Sequence, residues 1–305
     1  MVLKQRLKEY LATHRAAQWL ASPLLYVWKG IQRARVRRRN RLKRFLWDSL
    51  FERVEGGTLI VRVPEFQGIF EFDARSHILS KLLRTGRFEP DLVQLVHQYL
   101  IPDRDVIDIG ANVGLYTVLF ARITTDEARV LAVEPVPSVL KRLHANLRRN
   151  QVETKVLVYE GVVTKSPGVY PLHAVEGLEE YSSLGDIVHA DAQGPMYTLT
   201  VSGETVDHLV ATWQLQPGFI KIDAEGAEHL VLGGAEQTLR QYRPVILTEL
   251  SDALLRTQGT TSEAVVSLLQ SCGYRVLDAL HLGQDVRPPF EGTILALPEP
   301  ESRNT

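Results

Sequence analysis

"DVIDIGANVGLYTVLFAR", Asp105 to Arg122, is an apolar run that reaches an acid and two closely spaced glycines and then resumes at helical spacing. Such a stretch reads as a buried strand that stops in a tight turn and opens into a helix. Working outward from it, the same alternation recurs. Strands are expected at "DVIDIG", "RVLAVEP", "KVLVYEGVV", "FIKID", "PVILTEL", "YRVLDAL" and "GTILALP". Helices are expected between them at "LYTVLFARI", "SVLKRLHANLRRN", "AEHLVLGGAEQTLRQY" and "TSEAVVSLLQSC". Strands that alternate with helices in this way build an α/β domain whose parallel strands are covered on both faces. Ahead of it, "TLIVRVPEF" and "GIFEFD" alternate apolar and polar residues around Gly68, as a small accessory hairpin would, and "EPDLVQLVHQYL" reads as an amphipathic helix. The connection from Ser166 to Gly203 is too long and turn-rich for a simple crossover, and reads as a partly stranded insertion able to shape a pocket.

Open parallel sheets bind ligands at the carboxyl ends of their strands. In the opening stretch Gly110 and Gly114 bracket a turn where a side chain would block the approach of backbone to ligand. Asp108, at the strand end, can accept hydrogen bonds from an ammonium or hydroxyl, and the helix beginning near Gly114 directs its amide donors to the same crevice. The spacing is GxxxG, which does not match the GxGxxG of a dinucleotide site, and a purely structural strand-to-helix turn remains an alternative. The second strand narrows the choice. It ends in "LAVEP", with Glu134 placed roughly 20 residues past the glycines, where an acid holds the two hydroxyls of a ribose. Asp108 and Glu134 together describe a nucleoside that also carries an amino group, and S-adenosylmethionine meets both demands.

Five segments in order, "VIDIGANVGLYTVLFA", "VLAVEPVPSVLKRLHANLRRN", "SSL", "FIKIDAEGAEHLVLGGAEQTL" and "RPVILTEL", resemble the FkbM family of S-adenosylmethionine-dependent methyltransferases. The resemblance covers about residues 89–282 and leaves the first 50 or so unexplained. It implies the class I methyltransferase fold, a Rossmann-like sheet of seven strands with the last antiparallel, and O-methylation of hydroxyl groups. Carried onto this chain, Asp108, Gly110, Asn112 and Gly114 would shape the methionine end of the cofactor and Glu134 would hold its ribose. Val162 would lie against the adenine, and Ser182 and Ser183 match the short serine motif, whose role stays open between function and hydroxyl capping.

The reacting end is expected in "FIKIDAEGAE", where Lys221, Asp223, Glu225 and Glu228 gather charge at a strand end, a costly arrangement unless paired or functional. Methyl transfer from a sulfonium needs an oriented acceptor and removal of the hydroxyl proton. Asp223 is the residue expected to position or deprotonate an alcohol, with Glu225 assisting; the alternative for Glu225 is a helix cap. Lys221 shares the face of Asp223 by strand alternation and is its expected ion-pair partner. No metal is required, although some class I enzymes place magnesium on acids at these strand ends, and Mg2+ on Asp223 and Glu249, with Asp252 close by, is left open. Among the histidines, His229 is expected to turn away from the strand tip and His144 to lie on a helix surface or in packing, whereas His173 and His189 in the insertion could reach a substrate.

The chain has 305 residues, with hydrophobic and charged contents of 45% and 23% that exclude a disordered or fibrous protein. Its one cysteine, Cys272, excludes an internal disulfide and a cysteine-rich zinc site, and reads as core packing. A net charge of -1 conceals an uneven distribution: residues 1–50 hold 13 of the 35 Lys and Arg but only 2 of the 36 Asp and Glu. The expected organisation is a basic helical arm over 1–50, an accessory hairpin and helix over 51–88, and the methyltransferase domain over 89–300 with its insertion at about 166–203. The arm reads first as solvated, packing its aromatics on the body or on a second subunit in a homo-oligomer. Peripheral contact with an anionic membrane through residues 19–45 and a nucleic-acid tether are the alternatives. The patch Trp19 to Trp28 is short of the roughly 20 residues that span a bilayer, and no signal peptide is apparent, so a cytoplasmic location, or the inner membrane surface, is expected. The expected partner is a small-molecule or glycan hydroxyl. Two rival readings are a non-catalytic scaffold tethered by the arm and a nucleic-acid methyltransferase; against the latter, "DAEG" stands where a "DPPY" element would fall.

Overall fold

An antiparallel hairpin comes first, β1 (Thr58–Val63) paired with β2 (Gly68–Asp73). It carries Phe66, Phe70 and Phe72 into the core, each fully buried. This computed structural model describes residues 57–187, 192 and 194–300. The basic arm over 1–50, including 19–45, the start of the 51–88 segment, and His189 lie outside the described residues. Gly56–Thr305 cluster as one compact unit. The hairpin leads into helices α1 (His77–Thr85) and α2 (Pro90–Tyr99).

The main sheet has β3 (Asp105–Ile109), β4 (Val130–Val133), β5 (Val156–Tyr159), β9 (Pro217–Ile222), β10 (Val245–Ser251), β11 (Tyr274–Asp278) and β12 (Glu291–Pro298). Their spatial order is β11-β12-β10-β9-β3-β4-β5. Neighbours from β10 to β5 run parallel, and β12 runs antiparallel to both β10 and β11. This is the class I methyltransferase order, and the expected seven-stranded sheet with an antiparallel last strand is borne out. The strand order reverses between β3 and β9, and such a switch point is where an open sheet offers a crevice. The strands are apolar almost throughout because helices cover both faces. These are α3 (Leu115–Ile123), α4 (Pro137–Arg149), α5 (Val206–Trp213), α6 (Glu228–Gly233), α7 (Glu236–Tyr242), α8 (Asp252–Thr257) and α9 (Ser262–Ser271). Cys272 is buried in the core beside Leu269 and Tyr274, as packing requires.

Three local expectations change. "KVLVYEGVV" is not one strand: β5 ends at Tyr159, and Val162–Val163 form β6 in a separate sheet with β7 (Gly168–Val175) and β8 (Met196–Glu204) in the order β6-β8-β7. The expected long helix over 227–242 breaks at Gly233 and Gly234. A Cβ on Gly234 would stand 2.2 Å from the Thr164 carbonyl oxygen, so the chain bends where backbone meets backbone. Helices α5 and α8 are additions, capped by Thr205 and Ser251 side chains that accept the His208 and Leu254 N–H groups.

Two asparagines on α4 tie the hairpin to the domain. Asn146 accepts the Glu71 N–H at 2.7 Å and donates to the Glu71 and Val113 carbonyls; Asn150 accepts the Ile69 N–H at 2.9 Å and donates back to its carbonyl. The side chains thereby satisfy the open edge of β2, which would otherwise leave buried backbone groups unpaired. Arg142 and Arg149 add ion pairs to Asp73 and Glu71 at 2.5 and 3.0 Å. Among the described residues no helix is long and apolar enough to cross a membrane.

Candidate active site

The carboxyl ends of β3, β4, β9 and β10 open into one cleft with two lobes. Gly110, Asn112, Asp223 and Glu225 border both. One lobe is walled by Val133, Glu134, Val162, Val163, Leu172 and Ala227, with Ser182 and Leu184 from the insertion. It is an apolar slot in which Glu134 stands on the inner wall and Glu180, Asp223 and Glu225 lie on the border with the second lobe, a composition that suits a purine and its ribose. The other lobe is polar and takes its walls from five regions: Asp108 and Tyr116, Lys221 and Asp223, Glu249, Glu180 and Tyr181 of the insertion, and His77, Lys81, Phe88 and Glu89 from α1 and the start of α2.

Glu134 is buried, and its two oxygens accept the Asn112 and Val136 N–H groups at 3.0 and 2.9 Å. Burial outweighs those bonds and raises its pKa to about 7. Each carboxylate oxygen still has acceptor capacity for a hydroxyl. Asn112 stands in left-handed backbone, φ 49°, and its own side chain accepts the Val113 N–H at 2.7 Å, so it fixes the turn as well as bordering the cleft.

At the centre a buried cation links two acids. The Lys221 ammonium lies 3.2 Å from Asp223 Oδ2 and 4.0 Å from Asp108 Oδ1, and 5.0 Å above the Tyr116 ring. Burial alone would pull this ammonium's pKa down, but Asp223, Asp108 and Glu89 outweigh it and hold it above its ordinary value. Asp108 has no exposed surface. Oδ2 accepts the Thr117 hydroxyl at 2.6 Å, whereas Oδ1 has no hydrogen-bond partner although it borders the polar lobe. Burial raises its pKa against the pull of Lys221 and Thr117. An orphaned buried acceptor facing a cleft is a place for a ligand donor. Asp223 completes the row from the tip of β9 and keeps 42% of its side chain exposed, so it can exchange protons with solvent.

Several sequence readings need correcting. The glycines serve the protein before any ligand: a Cβ on Gly110 would stand 2.0 Å from the Asp223 carbonyl oxygen, and one on Gly114 2.7 Å from Leu143 Cδ1. Both glycines have positive φ, 75° and 90°, and Gly114 does not line either lobe. Glu225 is not a helix cap. It sits in left-handed backbone, φ 47°, three residues before α6, and Glu228 Oε1 holds the turn by accepting the Ala224 and Gly226 N–H groups at 3.2 Å each. Burial raises the Glu228 pKa to about 8. Ser183 joins in by donating to the Glu225 carbonyl at 2.8 Å, while its neighbour Ser182 lines the apolar lobe. Asp252 is turned from the cleft, accepting from Ser262 and pairing with Arg256 at 2.6 Å. His144 pairs with Glu160 at 3.5 Å, His173 lies 3.1 Å from Thr198 Oγ1, and neither of these nor His229 borders the two lobes.

The donor set does not suit a divalent ion on Asp223 and Glu249, because the Lys221 ammonium already stands against Asp223. Among the described residues no group of three or more His, Cys, Asp or Glu is arranged to hold a metal. Sequence reasoning missed the wall from α1 and α2. Glu89 accepts the Tyr116 hydroxyl at 2.9 Å and lies 3.8 Å from Lys81, whose ammonium sits 4.5 Å from the Phe88 ring centre. The signal available was Glu89 itself, an acid just ahead of a helix-opening proline.

The chain matches the model of the Methyltransferase FkbM domain over residues 108–276. It is 29% identical over 197 residues to hexuronic acid methyltransferase AglP of Haloferax volcanii, which spans 61% of this chain and 74% of the relative. It is 27% identical over 213 residues to 31-O-demethyl-FK506 methyltransferase FkbM of Streptomyces tacrolimicus, covering 61% and 80% of the two chains. Among solved structures it is similar to a methyltransferase FkbM from Methylobacillus flagellatus KT, with 16% identity and a TM-score of 0.41 over 72% of this chain and 52%, about half, of that one.

Proposed function

The chain belongs to the FkbM methyltransferase family, and from that premise we propose that it transfers a methyl group from S-adenosylmethionine to a hydroxyl of a sugar, glycan or polyketide-like natural product. The observation that carries this reading is the position of Asp223, on the border shared by an apolar lobe that holds Glu134 and a polar lobe. The residues present fit the cofactor: Glu134 would accept the ribose hydroxyls, Val162 would lie against the purine, and the orphaned Asp108 Oδ1 would accept from the amino group. Asn112 and the Gly110 backbone would border the segment between. When bound, S-adenosylmethionine supplies an electrophilic methyl group and a neutral thioether leaving group.

The chain's own part is orientation and proton removal. Lys221, held between Asp108 and Asp223, places its ammonium against the Asp223 carboxylate and fixes its position. Asp223 accepts the hydroxyl proton as the acceptor oxygen attacks the methyl carbon, and releases it to solvent through its exposed side. Glu225, on the same border, orients the acceptor. Tyr116 stays protonated, because burial and Glu89 raise its pKa, and holds Glu89 in place. The two relatives are named for a hexuronic acid and for 31-O-demethyl-FK506, which supports a hydroxyl acceptor without selecting one. The test is incubation of glycan and metabolite extracts with the protein and a methyl-labelled donor, followed by mass spectrometry. A labelled methyl ether formed by the wild type and not by Asp223→Asn is expected. Labelled product at the wild-type rate in that variant would remove Asp223 from the reaction.

A further inference from the structure

The polar lobe holds more negative charge than proton removal needs. Besides Asp223, it is bordered by Glu249 from β10, Glu89 ahead of α2, and Asp108 from β3. Two lysines face these acids, and both are engaged. Lys221 is shared by Asp223 and Asp108, and Lys81 lies 3.8 Å from Glu89. Asp108 Oδ1 goes to the cofactor's amino group in the reading above, which leaves Glu249, exposed and without an ion-pair partner among the described residues, as the acid open to an acceptor. Partial burial, then the fields of Asp223, Glu225 and Glu89, raises the Glu249 pKa to about 7. The wall therefore already resists a further negative charge at this point, and a positive one would relieve it.

The surrounding surface is suited to a polyol. Glu89, Asp223 and Glu249 offer acceptors to hydroxyl donors, and the Phe88 and Tyr116 rings supply apolar faces on the same wall. With Lys81 and Lys221 already set against Glu89 and Asp223, the acids on this wall favour a ligand that brings donors, and a second acceptor against them would be left unpaired.

Resting on the methyl-transfer reading above, we propose that this lobe selects its acceptor by charge, with Glu249 as the specificity-determining residue. An amino-bearing polyol is preferred to a neutral one, and one carrying a carboxylate is rejected. The chain would thereby differ from its relative named for a hexuronic acid.

Saturation-transfer NMR at pH 7 and fixed salt tests this on protein loaded with S-adenosylhomocysteine, using the methyl glycosides of glucosamine, glucose and glucuronic acid as probes. The expected order of affinity is glucosaminide, glucoside, glucuronide, with at least a tenfold gap between first and last. Glu249→Gln should narrow the gap, and Glu249→Lys should bring the glucuronide above the glucosaminide. A glucuronide that binds as well as the glucosaminide, no binding by any probe, or an order unchanged in Glu249→Lys would each overturn the inference. Calorimetry of S-adenosylhomocysteine on the same samples separates the two readings. Cofactor bound with the wrong sugar order sinks only the charge selection, while no cofactor binding sinks the methyl-transfer reading.

Discussion

Replacing Gly110 with alanine probes the joint between cofactor turn and reacting acid. At φ 75° an L residue costs roughly 1–2 kcal/mol. The added Cβ would also stand 2.0 Å from the Asp223 carbonyl oxygen, a backbone atom of the neighbouring strand end, so relief requires β3 and β9 to part at their tips. Overpacking of that kind costs about 1–3 kcal/mol. Together these give about 2–5 kcal/mol, and for a unit of this size each kcal/mol lowers Tm by roughly 2–4 °C. Gly110→Ala should therefore melt about 4–20 °C below the wild type by circular dichroism. Gly114→Ala shares the backbone penalty at φ 90° but meets only Leu143 Cδ1, the free end of a flexible side chain, and should lose about 1–2 kcal/mol. The Gly110 variant should also weaken S-adenosylhomocysteine binding more than the Gly114 variant. A Gly110→Ala protein melting within 2 °C of the wild type, or a larger loss from Gly114→Ala, would refute the assignment of Gly110 to the Asp223 contact.

Asp223→Asn should lower methyl transfer by about 10²–10⁴-fold, the usual worth of a positioned general base, with cofactor affinity changed less than about threefold by calorimetry. The pH dependence has a definite sign. Folding raises Glu134 and Glu249 from 4.5 to about 7 and Glu228 to about 8. Between pH 4.5 and 8 the folded protein thus binds more protons than the unfolded chain, and its Tm should fall as pH rises through that window. Cofactor binding should run the other way: ribose donation needs ionised Glu134, so affinity should drop as pH falls through 7. Binding at pH 6.5 should then release a proton, seen as a buffer-dependent calorimetric enthalpy; a buffer-independent enthalpy would contradict the Glu134 role. Glu228→Gln keeps the acceptor for the Ala224 and Gly226 N–H groups and should melt near the wild type. Glu228→Ala orphans both, at about 1–3 kcal/mol, and should speed amide exchange across residues 223–227.

The sheet was readable because its strands are short apolar runs ended by chemistry. Asp105–Ile109 and Pro217–Ile222 are buried throughout, and each is followed by glycine or acid. Lys221 and Asp223 fell on one face by strand alternation, and they meet at 3.2 Å. What was not readable depends on contacts between distant segments. Gly110 borders the cleft as its turn suggested, but the backbone that bars a side chain there, the Asp223 carbonyl, arrives from a strand more than a hundred residues later. Asn146 and Asn150 lie at i,i+4 beside Leu143 and Leu147, and what they serve, the edge of β2, comes from a segment about 75 to 81 residues away. The wall from α1 and α2 reaches the cleft from outside the motif order, so no local spacing announced His77, Lys81 or Glu89. Glu225 and Glu228 are both acids in one short motif, and only the path of the turn separates the one that faces the cleft from the one that holds the backbone.

The most direct measurement is a crystal structure of the protein with S-adenosylhomocysteine. Ribose hydroxyls are expected on Glu134, the purine beside Val162, the amino group at Asp108 Oδ1, and the sulfur at the junction of the lobes, facing Asp223. A nucleoside seated in the polar lobe, or a sulfur turned away from Asp223, would contradict it.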